Sequence, residues 1–365
     1  MAIRCGIVGL PNVGKSTIFN AITQAGAESA NYPFCTIEPN VGRVDVPDQR
    51  LADLASIVKP NRVVPAYTEF TDIAGLVEGA SKGEGLGNQF LAHIRETEAI
   101  VHVVRCFEDE NVTHVRNVVD PLADIEIINT ELALADLESL ERQLDKIQKK
   151  ARSGDKEAQK ILGTGQRVLD ALAAGNPARS VSLEQEEREM CRAFQLITQK
   201  PVLYLMNISE GDVESGQNEF TRTVQDFAHR ENSLALSICG TIESELSCLS
   251  ADEAQEFLTS LGLREPGLNR VIRESYQLLN LMTFFTAGVQ EVRAWTIPRH
   301  STAPEAAGVI HTDMQRGFIR AEVISYADFI GCKGESGAKE AGKLRLEGKE
   351  YQVQDGDVMH FRFNV

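Results

Sequence analysis

The stretch that constrains this chain most is Gly9-Leu10-Pro11-Asn12-Val13-Gly14-Lys15-Ser16, which fits the phosphate-binding pattern G-x-x-x-x-G-K-[ST]. An apolar run of strand length, Ile3 to Val8, comes before it. Thr17 to Ala25, which follows, carries apolar residues at helical spacing. Strand, glycine loop and helix in this order are the context that the motif needs. The sequence therefore predicts an α/β domain built around a P-loop.

The chemistry of the loop follows from its residue types. Glycine at positions 9 and 14 permits backbone angles that turn amide N–H groups toward an anion. The helix that follows points its positive N-terminal end at the same place. Lys15 adds a full charge, and the Ser16 hydroxyl is a candidate Mg²⁺ ligand beside the phosphate oxygens. We therefore assign nucleotide contacts to six residues: Asn12, Val13, Gly14, Lys15, Ser16 and Thr17.

Composition limits the class of protein. The chain has 365 residues and seven cysteines but no C-x-x-C pair, which favours reduced thiols and a cytoplasmic location. An apolar run of ~18 residues is absent from the sequence, and the start of the chain enters a core strand at once, so we expect neither a membrane span nor a signal peptide. The net charge of −16 argues against binding nucleic acid through the whole surface, although a local basic groove stays open. We expect a monomer without a sequence-specific DNA partner.

Two further segments have the character of nucleotide-sensing switches. Thr36 stands between two prolines in an irregular loop, where its hydroxyl could bind Mg²⁺ beside a γ-phosphate. An ordinary proline-rich surface loop is the alternative for this segment taken alone. The strand that ends in Asp72-Ile73-Ala74-Gly75 gives a D-x-x-G motif, in which Asp72 would hold Mg²⁺ through water and the Gly75 amide would face the γ-phosphate.

The recognition of the base is predicted at the ends of two later strands. Asn207-Ile208-Ser209-Glu210 follows one of them and Cys239-Gly240-Thr241 follows the other, so the candidates are Asn207, Ile208, Glu210, Cys239 and Gly240. Guanine-specific domains carry N-K-x-D, whose Asp accepts two hydrogen bonds from guanine. Here the Lys is absent and the carboxylate is one methylene longer, which predicts that ATP binds at least as well as GTP. The alternative is that Asn207 only caps a strand–helix turn.

The remaining chain is predicted to contain a helical insertion and a terminal module. Apolar residues recur at three- to five-residue steps from Asp124, which indicates a long amphipathic helix and a coiled-coil-like hairpin. A capping box beginning at Ser182 predicts a third helix through Phe194 and Ile197. The basic run Arg142, Lys146, Lys149, Lys150 and Arg152 is either an RNA contact or a solvated helix face.

Beyond the insertion, one helix is expected over Glu243 to Leu261, and then a hairpin around Gly288. A short helix over Ala303 to Ile310 and strands over Phe318 to Ile324 and Val358 to Phe363 complete a ubiquitin-like α+β module. The predicted boundaries are residues 1–123 and 200–280 for the two parts of the nucleotide domain, 124–199 for the insertion and 281–365 for the terminal module.

Taken together, the P-loop, the D-x-x-G segment, Asn207 to Glu210 and the tail Asp355-Gly356-Asp357-Val358 resemble the Obg-related class of P-loop GTPases, and within it the YchF or Obg-like ATPase family. This resemblance spans essentially the whole chain. It implies a G domain with a mostly parallel sheet, a helical coiled-coil insertion and a C-terminal β-grasp domain of TGS type. It also implies a ribosome or ribosomal RNA partner and a nucleotide specificity that is relaxed or prefers ATP.

The hydrolytic site is predicted only in part. Lys15, Mg²⁺ and the Gly75 amide would stabilise the transferring phosphoryl charge. Leu76 stands where Ras-like proteins place the glutamine that orients water, so another group is needed, and His114 is a candidate for it. An exposed loop histidine is an equal alternative for His114. In related GTPases an asparagine at the position of Asn12 helps to seat a potassium ion.

The sequence therefore supports a slow, nucleotide-switched ATPase that engages the ribosome. Two other functions stay open. One is a GTP-specific GTPase of ribosome assembly, which the preference between adenine and guanine distinguishes. The other is a nucleotide-dependent adaptor whose hydrolysis is incidental, which would keep its partner after the hydrolytic residue is mutated.

Overall fold

The computed structural model of the chain describes residues 4–27, 41–73, 86–109 and 118–364. The strands of these residues are β1 Arg4–Val8, β2 Val41–Asp45, β3 Arg62–Val64, β4 Tyr67–Asp72, β5 Ala99–Arg105, β6 Val202–Asn207, β7 Leu234–Ile238, β8 Leu281–Ala287, β9 Glu291–Pro298, β10 Phe318–Ile324, β11 Arg345–Glu347 and β12 Val358–Phe363. The helices are α1 Lys15–Ala27, α2 Gln49–Val58, α3 Leu86–Arg95, α4 Pro121–Arg152, α5 Lys156–Ala173, α6 Gln185–Arg192, α7 Glu219–Arg230, α8 Gly240–Leu246, α9 Ala251–Ser260, α10 Gly267–Leu278, α11 Ala303–Ile310, α12 Thr312–Arg316, α13 Tyr326–Gly331 and α14 Glu335–Glu340. Short 3-10 turns lie at Ala178–Ser180, Ile197–Gln199 and Glu210–Asp212.

The nucleotide domain is built on a six-stranded sheet of order β2-β4-β1-β5-β6-β7. Pairing is parallel between β1 and both β4 and β5, and again from β5 to β6 and from β6 to β7. Every residue of β5 and β6 is buried, as expected for central strands that are covered on both faces. Because the strands are parallel, their carboxyl ends meet at one edge of the sheet, and the predicted site residues follow those ends.

The helical insertion is a hairpin of α4 and α5, which confirms the predicted fold class in this region. Asp120 and Asp155 cap the two helices by accepting hydrogen bonds from the first-turn N–H groups of Ala123 and Ala158. The helices approach closely at Gly165, where a Cβ atom would overlap the Leu144 side chain. Their shared apolar core contains Leu140, Leu144, Val168, Leu172, Leu183, Cys191 and Phe194.

Two predicted helices have different limits in the structure. The third helix of the insertion begins two residues later than Ser182 implied, because Glu184 is the capping residue and its N–H donates to the Glu187 carboxylate at 2.9 Å. This helix, α6, ends at Arg192, since Gln195 has a φ of 52° that no continuing helix allows. The single helix expected over residues 243–261 is two helices, α8 and α9, which are separated where Ser250 caps the second.

The C-terminal module is a mixed sheet of order β11-β10-β12-β8-β9-β3. The small helix α11 packs its alanines, Ala303, Ala306 and Ala307, into the same core as Phe284 and Phe361. Helix α11, strand β10 and strand β12 have the bounds that the sequence predicted. A helix packed on a mixed sheet of this kind confirms the α+β module.

The chain divides into two compact units, and one of them combines distant parts of the sequence. Arg43–Thr68 belongs with the chain from Ile272 onward, whereas Arg4–Gly42 and Glu69–Val271 form the other unit. Within the unit that contains Arg43–Thr68, β3 pairs with β9 in parallel, and Arg50 of α2 forms an ion pair with Asp355 at 2.8 Å. A segment between the two predicted switches is therefore part of the C-terminal structure.

Candidate functional site

The P-loop lies between β1 and α1, and of its two glycines Gly14 has a positive φ whereas Gly9 does not. Asn12 and Gly14 both have positive φ, at 63° and 91°. A side chain at position 14 would be strained by this φ, and its Cβ would also overlap the Asn207 amide. The Gly14 carbonyl accepts the first hydrogen bond of α1, from the Ile18 N–H at 3.0 Å. The loop is thus continuous with the N-terminus of a helix, as an anion site requires.

The cation of the P-loop faces a carboxylate from the neighbouring strand. The Lys15 ammonium forms an ion pair with Asp72, which is the last residue of β4. Only 11% of the Lys15 side chain and 20% of the Asp72 side chain are exposed. Since β4 pairs with β1 in parallel, the sheet itself brings the two residues together. The pair marks the end of the site at which phosphates and a metal ion would bind.

Asn207, at the end of β6, connects the P-loop to the opposite side of the site. Its side-chain N–H donates to the Val13 carbonyl at 3.0 Å, and its side-chain oxygen accepts from the Gly240 N–H at 3.0 Å. The residue is buried. A Cβ atom at position 240 would come within 3.4 Å of the Asn207 oxygen, so both glycines fit closely around this amide. The amide therefore fixes the spacing between three loops.

The P-loop and the loops after β5, β6 and β7 enclose one cleft with a volume of about 620 Å³. It is lined by Leu10, Pro11, Asn12, Gly14, Lys15, Ser16, Thr17, Phe107, Asp109, Asn207, Gly240 and Thr241. Most predicted nucleotide contacts are therefore neighbours. The sequence reasoning missed Phe107, Asp109 and Thr241. Phe107 and Asp109 could have been found from their position directly after the buried strand β5, because β5 ends at the same edge of the sheet as β1.

The other predicted site residues lie apart from this cleft or outside the described part of the chain. Ile208 and Cys239 are buried and line a second cavity of about 290 Å³, which residues of β7 also line. Burial raises the pKa of the Cys239 thiol. Glu210 begins an exposed 3-10 turn. Thr36, Gly75 and His114 are outside the described residues.

A buried carboxylate supports the loop after β7. Glu243 of α8 accepts hydrogen bonds from the main-chain N–H groups of Gly267 and Leu268, at 2.8 and 3.2 Å. Burial raises the pKa of this carboxyl, and its partners are the first N–H groups of α10. Glu243 therefore caps a helix N-terminus and holds the Gly240 loop against the body of the domain.

Among the residues that the structure describes, no helix is long and apolar enough to cross a bilayer. The basic residues of α4, Arg142, Lys146, Lys149, Lys150 and Arg152, are all exposed.

Comparison with known proteins gives full-length matches. A family model described as 50S ribosome-binding GTPase matches residues 4–133, and a C-terminal YchF GTPase model, described as a protein of unknown function, matches residues 281–364. The ribosome-binding ATPase YchF of Haemophilus influenzae is 59% identical over 365 residues, which is all of both chains. The protein of the same name from Bacillus subtilis is 55% identical over 366 residues, again with full coverage of both. The solved YchF GTPase of Schizosaccharomyces pombe is 38% identical, has a TM-score of 0.89, and matches over 99% of this chain and 97% of its own.

Proposed function

We propose that this chain, which belongs to the YchF family of P-loop nucleotide hydrolases, is a slow ATPase that binds the ribosome and is switched by its nucleotide. The observation that carries the proposal is the single cleft in which the P-loop residues meet Asn207 and Gly240. One end of it holds Lys15 beside Asp72, and the other end is formed by the loops that follow β6 and β7. A nucleoside triphosphate extends between two such ends. We expect this protein in the cytoplasm, with the ribosomes.

The proposed chemistry is electrostatic. Lys15 and the N–H groups at the start of α1 bind the outer phosphates and stabilise the charge that develops during transfer. The ion pair with Asp72 holds the Lys15 side chain, which lines the cleft. The Gly75 amide is proposed to add a further donor. Because Leu76 cannot orient water, we expect slow hydrolysis by the protein alone.

The donor set fits a magnesium ion. Ser16 offers a hydroxyl and Asp72 a carboxylate near the P-loop lysine, and hard oxygen ligands of this kind are those that Mg²⁺ prefers. We propose Ser16, Asp72 and Thr36 as the residues that hold it. When bound, Mg²⁺ neutralises charge on the phosphate oxygens. Asn12 lines the same cleft, and we propose it as a ligand of a potassium ion.

The base preference is proposed to favour adenine or to be neutral. Glu210 replaces the aspartate of N-K-x-D, and it lies in an exposed turn away from the cleft lining. Ile208 replaces the lysine, and its side chain is buried in the neighbouring cavity. A bidentate contact with guanine through Glu210 is therefore disfavoured, and Ile208 cannot replace the contacts of a lysine, so a strong GTP preference would lack its usual cause.

Titration calorimetry of the full chain with ATP, GTP and ADP, each with Mg²⁺, tests the proposal. We expect ATP to bind at least as tightly as GTP, and Lys15→Ala to weaken both by more than about tenfold, because the charged contact with phosphate is lost. A tenfold or greater preference for GTP would contradict the ATPase assignment and favour the GTPase alternative.

His114→Ala, assayed at saturating ATP, tests the water-positioning role; unchanged turnover would remove His114 from the mechanism.

A further inference from the structure

Arg105 is the last residue of β5 and one of the most buried charged side chains in the described chain, with 1% of its surface exposed. It lies in the strand Ala99–Arg105, whose other residues are apolar except for His102. Placing a guanidinium there costs free energy unless its N–H groups are hydrogen-bonded. Two of the Arg105 N–H groups donate to main-chain carbonyls, and both carbonyls belong to the loop after β5 that lines the nucleotide cleft.

The guanidinium folds back over the residues that follow it. Its Nε donates to the Phe107 carbonyl at 3.1 Å, and one Nη donates to the Asp109 carbonyl at 3.3 Å. The guanidinium carbon is also 4.7 Å from the centre of the Phe107 ring. A planar group with several fixed donors can satisfy two carbonyls and face a ring at the same time, which a lysine ammonium cannot do.

The same loop is held from its other side by the main chain of Cys106. Its N–H donates to the Asn207 carbonyl at 2.8 Å, and its carbonyl accepts from the Asn218 side chain at 2.8 Å. Arg105 is paired in register with Asn207 across β5 and β6. The loop is therefore fixed to the strand end that carries the predicted base contact, and Arg105 fixes the part that reaches the cleft.

We propose that Arg105 is a positioning residue for the nucleotide. It acts through Phe107, because it holds the Phe107 ring in place. This ring forms the wall of the cleft on the side where the purine binds. The inference rests on the proposed function and assigns a residue to base binding that the P-loop and the Asn207 segment do not include. Phe107 and Asp109 line the cleft directly, whereas Arg105 lies behind them. The purine end is assigned because Cys106, the neighbour of Phe107, is hydrogen-bonded to Asn207, which is the predicted base contact.

The test compares ATP with inorganic tripolyphosphate, which has the phosphates but no base, in calorimetric titrations of the full chain. We expect Arg105→Lys and Phe107→Ala each to weaken ATP by about tenfold and to leave tripolyphosphate unchanged. We expect the double variant to bind ATP no more than about twofold more weakly than either single variant, because both changes remove the same wall. Arg230→Lys is the matched control, since Arg230 also lies over a phenylalanine ring, Phe227, but is exposed and does not line the cleft.

Three results would overturn the inference while leaving the proposed function intact. They are unchanged ATP affinity in Arg105→Lys, an equal loss of affinity for ATP and tripolyphosphate, and multiplicative losses in the double variant. If Arg105→Lys does not fold, Phe107→Ala decides alone, because unchanged ATP binding in that variant contradicts a wall at Phe107. If the wild-type chain binds neither ligand, it is the proposed function that fails.

Discussion

The Asn207 side chain uses both atoms of its amide inside the protein, toward Val13 and Gly240. We predict that Asn207→Ala destabilises the fold by about 2 to 3 kcal/mol, because two buried main-chain groups lose their partner. Nucleotide affinity should fall by about tenfold or more, since the spacing of the loops is no longer fixed. Urea denaturation and ATP titration measure the two effects. The exposed Asn176→Ala is the control, and a variant as stable as this control would contradict the role of the amide.

The buried position of His102 predicts that the folded protein loses stability at low pH. The side chain is buried beside the Tyr204 ring, and burial together with the nearby Arg179 charge lowers its pKa from 6.5 to about 3. Between these two pKa values the unfolded chain binds a proton that the folded chain does not, so stability is lost as pH falls below 6.5. From pH 7 to pH 5 this residue should account for about 2 kcal/mol of the loss. Denaturation of wild type and His102→Phe at both pH values measures it, and identical pH dependence in the two would contradict it.

At this scale the sequence predicted residues that belong to a motif and missed those that do not. Lys15, Gly14 and Ser16 were assigned because glycine, charge and hydroxyl have fixed spacing in the P-loop. Arg105 was missed because a single charge at the end of an apolar run has no distinctive local pattern, and only the folded loop shows which carbonyls it reaches.

A buried carboxylate of α4, Asp136, binds the 3-10 turn Ile197–Gln199, where the helical insertion leads back to β6. Asp136 accepts hydrogen bonds from the Ile197 N–H at 2.9 Å, and from the Thr198 N–H and hydroxyl, both at 2.7 Å. We predict that Asp136→Ala destabilises the protein by about 3 kcal/mol, because three buried donors lose their acceptor. Asp145→Ala on the exposed face of the same helix is the matched control. Equal denaturation midpoints for the two variants would contradict this role of Asp136.

Element limits were predictable where local signals agree with packing. Helix α11 has threonine and proline at its start, and β10 alternates between more exposed and buried residues from Arg320 to Val323, so both were predicted with their observed bounds. The predicted end of α6 was wrong, because the apolar periodicity continues through Phe194 whereas the backbone turns at Gln195. Apolar spacing alone does not distinguish a longer helix from a turn that returns to the same core.

At the scale of the whole molecule, the structure joins Arg43–Thr68 to the C-terminal module, which no local pattern predicted. The pairing of β3 with β9 and the Tyr326 hydrogen bond to Asp53, at 2.6 Å, connect residues that are far apart in the sequence. Such contacts depend on side-chain fit and on the register of an edge strand, and a single sequence carries neither explicitly.

This arrangement predicts the outcome of a truncation. A chain that ends at residue 280 should lose the partners of α2 and β3, so residues 49–64 should become sensitive to proteases and the midpoint of thermal unfolding should fall. Limited proteolysis with mass spectrometry locates the cleavage sites. Arg50→Gln in the full chain is the milder comparison, because it removes the ion pairs with Asp355 and Asp48 but leaves the β3–β9 pairing in place. Full protection of residues 49–64 in the truncated chain would contradict the shared unit.

The central claim, a nucleotide-switched ribosome-binding ATPase, is tested most directly by co-sedimentation of the full chain with purified ribosomes. The measurement is made with ATP, with a non-hydrolysable ATP analogue and with ADP, and Lys15→Ala serves as the control that cannot respond to nucleotide. We predict that ribosome-bound protein differs several-fold between the analogue and ADP, because the triphosphate and diphosphate stabilise different states of the cleft. Equal sedimentation in all three conditions, or the same response in Lys15→Ala as in wild type, would contradict the account.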